Sequence, residues 1–169
     1  MNLKYISTVV TISFLLFTSL LSAQSKEIDI SITNIDSVLI NSVNNFIDEW
    51  HNDASIADVA YFDKIATDGI YIGTDATELW TKDEFSLWSQ KYFEQGKAWS
   101  FTVIERNVYF SDDKKYAWFD ELLNTGMGVC RASGVLQKYE DSWKIKHYHL
   151  SVAIPNEKME EVKSVIEER

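Results

Sequence analysis

Asp120, Arg131, His147 and His149 fall within one stretch, Lys115–Pro155, which reads as three consecutive strands. Their side chains suit proton transfer: Asp120 as acceptor, with Arg131 or a histidine steadying a developing oxyanion. The same aspartate and arginine also read as a plain structural ion pair between neighbouring strands. His147 and His149 form a His-x-His pair with three roles open to it. They are neutral hydrogen-bonded core residues, pocket-lining acid/base or ligand-holding groups, or two imidazoles presented to one metal ion.

Strand alternation decides which of these groups share a face. Lys144 and Lys146 want water, which sends Trp143, Ile145, His147, His149 and Ser151 inward. Asp120 shares parity with Tyr116, Trp118 and Leu122, a bulky face, and is read as inward too. A carboxylate there is costly unless paired. Glu121 has the opposite parity and is expected outside, as are Tyr148, Leu150 and Val152, which would form an interaction surface or dimer seam. Asp120 and His149 are thus the catalytic candidates. Arg131, His147, Trp118, Trp99 and Tyr71 are the ligand-binding candidates.

The elements that must position them follow from periodicity. Ile35, Leu39, Val43, Phe46, Ile47 and Trp50 mark one face of a helix capped by Asn34 or Asp36. His51-Asn52-Asp53 ends it, with His51 at the surface, and a second helix is predicted from Ala54 to about Ala66 with Asp53 as cap. Short extended pieces at Ile70–Ile72 and Glu78–Trp80 precede a capping box, Thr81 to Glu84, which opens a third helix reaching Gly96. The period then changes to two. Strands at Trp99–Phe110, Tyr116–Leu123, Gly128–Tyr139 and Trp143–Ile154, separated by short polar turns, make an antiparallel meander. A charged helix over Glu157–Glu168 follows, with Met159, Val162, Val165 and Ile166 as its stripe. Helices gathered before a curved antiparallel sheet give an α+β architecture, a cone-shaped sheet packed against N-terminal helices, with a hollow for a ligand.

Composition narrows the function classes. Residues 1–23 carry a basic start, an apolar run from Val9 to Leu21 and a small-residue exit at Ala23, the pattern of a signal peptide. The apolar run falls short of the ~20 residues that span a bilayer, so no membrane attachment is expected after its removal. A periplasmic or secreted protein follows, with an arm over residues 24–35 and a domain over 36–169; the alternation of Glu27–Thr33 reads as a short lead-in strand or an ordered arm. The net charge of −10 becomes −11 without residues 1–23, which hold one Lys and no acid. So acidic a chain is a poor match for nucleic acid. Cys130 is the single cysteine and reads as a small buried hydrophobe.

Ile72–Trp80, Trp118–Glu121, Arg131–Leu136, Trp143–Ile145 and Leu150–Asn156 together resemble the SnoaL-like branch of the nuclear transport factor 2-like superfamily, over about residues 36–160. The resemblance implies a cone-shaped α+β barrel and a homodimer packed through the outer sheet face; no cofactor is expected, since the chain has no phosphate-cradling glycine loop and no Cys-x-x-Cys pair. The superfamily holds polyketide cyclases, steroid isomerases and dehydratases beside non-enzymatic binders, so fold does not give function. Ala132 stands where glycine is expected, and histidines stand at 147 and 149 where amides are common. The expected function is binding of a small, partly apolar molecule. The alternative is a cofactor-independent isomerase, cyclase or dehydratase using Asp120 and His149.

Overall fold

The computed structural model describes residues 36–140 and 142–168. The signal segment 1–23, the arm 24–35 and the strand drawn at Glu27–Thr33 lie outside the described residues. The chain divides into two compact units, Met1–Ser42 and Val43–Arg169. In the first, the described residues 36–42 are helical, and Ser42 Oγ donates to the Leu39 carbonyl at 2.8 Å. All that follows concerns the second unit.

Helix α1 spans 36–55, and α2 is a single turn, Ala60–Asp63. The predicted break at His51 and the long second helix are therefore corrected. The helix runs on through His51, Asp53 and Ala54, all of them buried. Asp53 pairs with Lys64 instead of capping. The break comes at Ala57, whose positive φ of 55° stops the helix, and Asp58 Oδ1 accepts from the Ala60 amide at 2.9 Å to start the next turn. Strand β1 (Ile65–Ile72) then begins where the second helix was expected to continue.

Strand β2 (Leu79–Thr81) leads directly into α3 (Lys82–Phe93), whose capping box is formed as read: Thr81 accepts from the Glu84 amide and the Glu84 carboxylate returns to the Thr81 amide. Gly96 follows at φ 74°, a left-handed position that suits glycine. The meander is β3 (Thr102–Phe110), β4 (Tyr116–Thr125), β5 (Gly128–Tyr139) and β6 (Ser142–Val152). The sheet order is β2-β1-β6-β5-β4-β3, curved and mixed, because β1 lies parallel to β6 while the other pairs are antiparallel. A short 3-10 turn, Asn156–Lys158, and α4 (Met159–Glu167) close the described chain. Among the described residues no helix is long and apolar enough to cross a membrane.

The inner face of the sheet is set by β5. Cys130, Ala132, Gly134 and Leu136 are buried there, while Arg131 and Ser133 are exposed. Across the hairpin these small residues face large ones: Phe119 opposite Gly134, Glu121 opposite Ala132, Leu123 opposite Cys130. That fixes Ala117, Phe119, Glu121 and Leu123 as the inner set of β4 and overturns the expected parity, which had placed Tyr116, Trp118, Asp120 and Leu122 inside. On β6, Trp143 and Ile145 are buried as expected, but a bulge then intervenes. Leu136 pairs with Ile145 and Val135 with His147, leaving Lys146 as the extra residue. The bulge reverses the alternation: Tyr148 and Leu150 are buried, and His147 and His149 turn to the outer face with Val152. Lys146, displaced outward, pairs with Asp68.

Gly134 is the tightest point of this arrangement. A Cβ there would lie 2.6 Å from the Phe119 ring and 3.0 Å from the His147 carbonyl oxygen. Gly134→Ala should therefore destabilise the fold by about 1–3 kcal/mol through overpacking. Urea denaturation checks this; an unchanged midpoint would mean the ring moves aside freely.

Candidate functional site

The interior between the helices and the sheet is filled with stacked aromatics. Trp50 stacks on Tyr61 at 4.9 Å and meets Tyr148 edge-on at 4.8 Å, and Tyr71 stacks on Phe85 at 3.8 Å. Tyr71 and Trp99 face this interior, as the sequence reading expected, and Trp99 packs against Tyr61 at 5.6 Å. Burial pushes the hydroxyls of Tyr61, Tyr71 and Tyr148 well up, so all three stay neutral. The Tyr148 hydroxyl and the Trp50 indole nitrogen are buried without a hydrogen-bond partner. Each is a polar atom whose burial goes uncompensated by the protein, and each could be satisfied by a polar ligand atom or water.

One wall of the interior carries charge. Glu121 on β4 is 0% exposed, His51 on α1 and Arg106 on β3 are each 6% exposed. His51 Nε2 lies 3.0 Å from Glu121 Oε1. Arg106 Nε donates to Glu121 Oε2 at 2.8 Å, and its Nη1 donates to the Asn44 carbonyl at 3.2 Å and pairs with the exposed Asp48 at 2.8 Å. Register explains the meeting: Arg106 pairs with Glu121 directly across the β3–β4 ladder, and His51 descends on them from the buried stripe of α1. Burial by itself would push the Glu121 carboxyl up; the His51 contact and the Arg106 guanidinium together outweigh it and hold the group below the ordinary glutamate range. The ionised carboxylate accepts from Nε2, so that nitrogen carries a proton, and in the neutral form of the ring the lone pair is on Nδ1. Nδ1 is buried and has no partner.

Beside His51 opens a cavity of about 360 Å³, walled by Phe101 and Val103 and by the polar side chains of Asn52, Ser55, Ser100 and Thr102. A larger groove of about 740 Å³ runs between α2 and α3, past Val59, Phe62, Leu87 and Phe93. The charged residues along it, Asp63, Lys82, Asp83 and Glu94, are none of them buried, so no desolvated group there is poised for chemistry. The candidate site is the smaller cavity with its buried charge cluster.

The expected site residues divide accordingly. Tyr71 and Trp99 lie on the inner side. Asp120, Arg131, Trp118, His147 and His149 lie on the outer face of the sheet, so they do not line the interior with those two. Arg131 Nη1 does reach Asp120 Oδ1, at 3.5 Å, but across a partly solvated surface. Asn107 also donates to Asp120, at 3.2 Å. Glu121 and His51 were missed: the first was assigned outside by parity, the second was read as a surface helix end. The signal that finds Glu121 is the polar–apolar alternation of Cys130–Leu136, carried across the hairpin to β4.

Glu121 yields a pH signature. Its folded pKa is depressed, so its stabilisation is fully present above the ordinary glutamate value, ~4.3, and is lost as pH falls through the lower folded value. Glu121→Gln should cost about 3 kcal/mol at neutral pH, since it leaves the Arg106 charge buried without its counter-ion. The deficit should shrink as pH falls below about 4.3. Urea denaturation of both proteins across that range tests this, and a deficit independent of pH would contradict it.

The SnoaL-like domain model matches residues 43–155. A search of curated protein sequences returns no match. Among solved structures, the chain is similar to an NTF2-like protein of unknown function from Pseudomonas putida KT2440, with 14% identity and a TM-score of 0.58 over 70% of this chain and 89% of that one. It is also similar to a candidate ketosteroid isomerase from Parabacteroides distasonis ATCC 8503, with 20% identity and a TM-score of 0.51 over 67% and 86% of the two chains. A third is a candidate aromatic ring hydroxylase from Novosphingobium aromaticivorans, at 12% identity and a TM-score of 0.55 over 68% and 88%. At such identities the structures speak for the fold alone. The family match across residues 43–155 places this chain in the SnoaL-like domain family, and its helices against a curved mixed sheet give it an NTF2-like fold.

Proposed function

We propose that this domain is an exported binder of a small, partly apolar molecule, held in the cavity beside His51. The observation that carries the reading is the buried Glu121–His51 pair at the edge of that cavity, with Nδ1 left unpartnered. About 360 Å³ lies in the range of small-ligand pockets. Phe101 and Val103 supply apolar contact, and Asn52, Ser55, Ser100 and Thr102 supply directional hydrogen bonds. An imidazole that offers a lone pair selects a ligand with a hydroxyl or N–H donor, and the Phe101 ring beside it favours an aromatic or alicyclic body.

The same pair supports turnover as a second reading. An imidazole oriented by a buried carboxylate and unpartnered at its other nitrogen is suited to accept a proton. The chemistry would be cofactor-independent isomerisation, cyclisation or dehydration, with His51 taking the proton and Glu121 orienting it. Asp120 and His149, on the outer face, have no part in that route.

The outer face itself fits self-association as a homodimer. Tyr109 and Trp118 stack at 6.0 Å on it, and Trp118 and its same-face neighbour Tyr116 are 45% and 41% exposed. An apolar patch of that kind on a sheet face is a usual mark of an interface.

Titration with 1-naphthol and 1-tetralone, followed by tryptophan fluorescence, tests the binding reading. Saturable binding of the alcohol is expected, weakened at least about tenfold by His51→Phe, a loss of ~1.4 kcal/mol, and unaffected by Asp120→Asn. Equal affinity in the His51 variant, or failure of both compounds to bind, counts against the site.

A further inference from the structure

The cavity beside His51 has an unbalanced charge. Asp48, His51, Asn52 and Ser55 recur at helical spacing and reach it from one face of α1, and the segment from Ser100 to Val103 closes the other side. Asp48 is the one acidic side chain in that lining, and it is 61% exposed. Behind it stands the guanidinium of Arg106, shared between Asp48 at 2.8 Å and Glu121 at 2.7 Å. Two carboxylates thus hold one guanidinium, and with the His51 ring neutral the cluster carries one negative charge in excess. Among the described residues lining the cavity there is no Lys or Arg to offset it. From Val43 to Ser55 the helix adds Glu49 and Asp53 and no Lys or Arg. Lys64 is engaged with both of those acids, and Lys97, on the segment leading to Ser100, is not among the lining residues.

We infer that the ligand of this cavity is a cation: a primary or secondary amine on an aromatic or alicyclic body, with its ammonium beside Asp48. The inference rests on the cavity being the binding site, as proposed above. The same groups disfavour an anion. A carboxylate or phosphate would meet Asp48 and the unpartnered acceptor nitrogen of neutral His51, with no ammonium or guanidinium in the lining to receive it. A neutral alcohol makes hydrogen bonds but leaves the excess charge unanswered. An ammonium donates to the Asp48 carboxylate and to the side-chain oxygens of Asn52, Ser100 and Thr102, and it neutralises the cluster.

Exposure sets the size of the preference. Asp48 is paired with Arg106 yet stays in contact with water, so an ammonium beside it gains what a partly solvated ion pair supplies, about threefold in affinity. The rest of the chain acts in the same direction. Its net charge of −10 draws cations towards an acidic cavity, an attraction that fades as salt is added.

Isothermal titration calorimetry with phenethylamine, phenethyl alcohol and phenylacetate, at about pH 8 and so above the ordinary histidine range, decides the matter. The expected order is amine, alcohol, acid, with the amine at least about threefold tighter than the alcohol. Asp48→Asn, checked for folding by circular dichroism, should bring amine and alcohol to equal affinity. Added salt should narrow the same gap in the unaltered protein, a readout that needs no variant. If the alcohol binds and is weakened by His51→Phe but the amine binds no tighter, the cavity stands as the site and its cation preference is overturned. An amine preference that survives Asp48→Asn, or one that salt leaves unmoved, overturns the assignment to Asp48. Tightest binding of phenylacetate overturns the sign of the charge. Failure of all three compounds to bind contradicts the cavity reading itself.

Discussion

The structure depends on how a fully buried carboxylate is accommodated. Glu121 sits where the neighbouring inner positions of β4 hold Ala117, Phe119 and Leu123, and an isolated carboxylate there would be prohibitively costly. Arg106 meets it from the adjacent strand and His51 from the helix above, so the charge is shared between two elements that the backbone does not otherwise join. Arg106 also holds the Asn44 carbonyl and Asp48, one to two turns earlier on the helix. The cluster therefore fixes both the depth and the rotation of α1 against the sheet. A hydrophobic contact is tolerant of sliding; this set of directional bonds is not.

That specificity has a chemical by-product. The geometry that seats the helix also fixes which nitrogen of His51 carries the proton and leaves the other without a protein partner. Stability and reactivity thus share the same atoms, as is usual where perturbed groups are collected at one place in a fold. The aromatic stack behind His51 excludes water and keeps the local dielectric low, which strengthens the electrostatics of the cluster.

Much of the architecture was legible in the sequence because its signals are local. The Thr81–Glu84 capping box, the ends of β5 at Gly128 and Tyr139, and the meander itself rest on neighbouring residues and agree with the structure. The facing of the sheet was not legible in the same way. One extra residue at Lys146 moved His147 and His149 to the opposite side, and bulges leave no composition signature. On β4 the bulk of Tyr116 and Trp118 argued for the wrong face, because large aromatics suit an exposed patch as well as a core. The small residues of β5 held the decisive information, since Gly134 and Ala132 make sense only opposite Phe119 and Glu121. His51 was hidden for another reason: its burial depends on where α1 ends, and Ala57, not His51-Asn52-Asp53, sets that limit.

The parallel pairing of β1 with β6 has a consequence for how the chain acquires its fold. Ile65 lies beside Ile145 and Ile72 beside His149, so the strand made early finds its neighbour only when nearly the whole domain has been synthesised. The hairpins β3–β4, β4–β5 and β5–β6 can close locally and fast, while β1, carrying β2 and α3 with it, must wait for a long loop to be shut at an entropic cost. Until then both the aromatic face of Tyr71 and the inner side of β6 stay open to other chains. The seam between β1 and β6 is the last part of the sheet to be sewn, and the moment before it closes is when this protein is most exposed to misassociation.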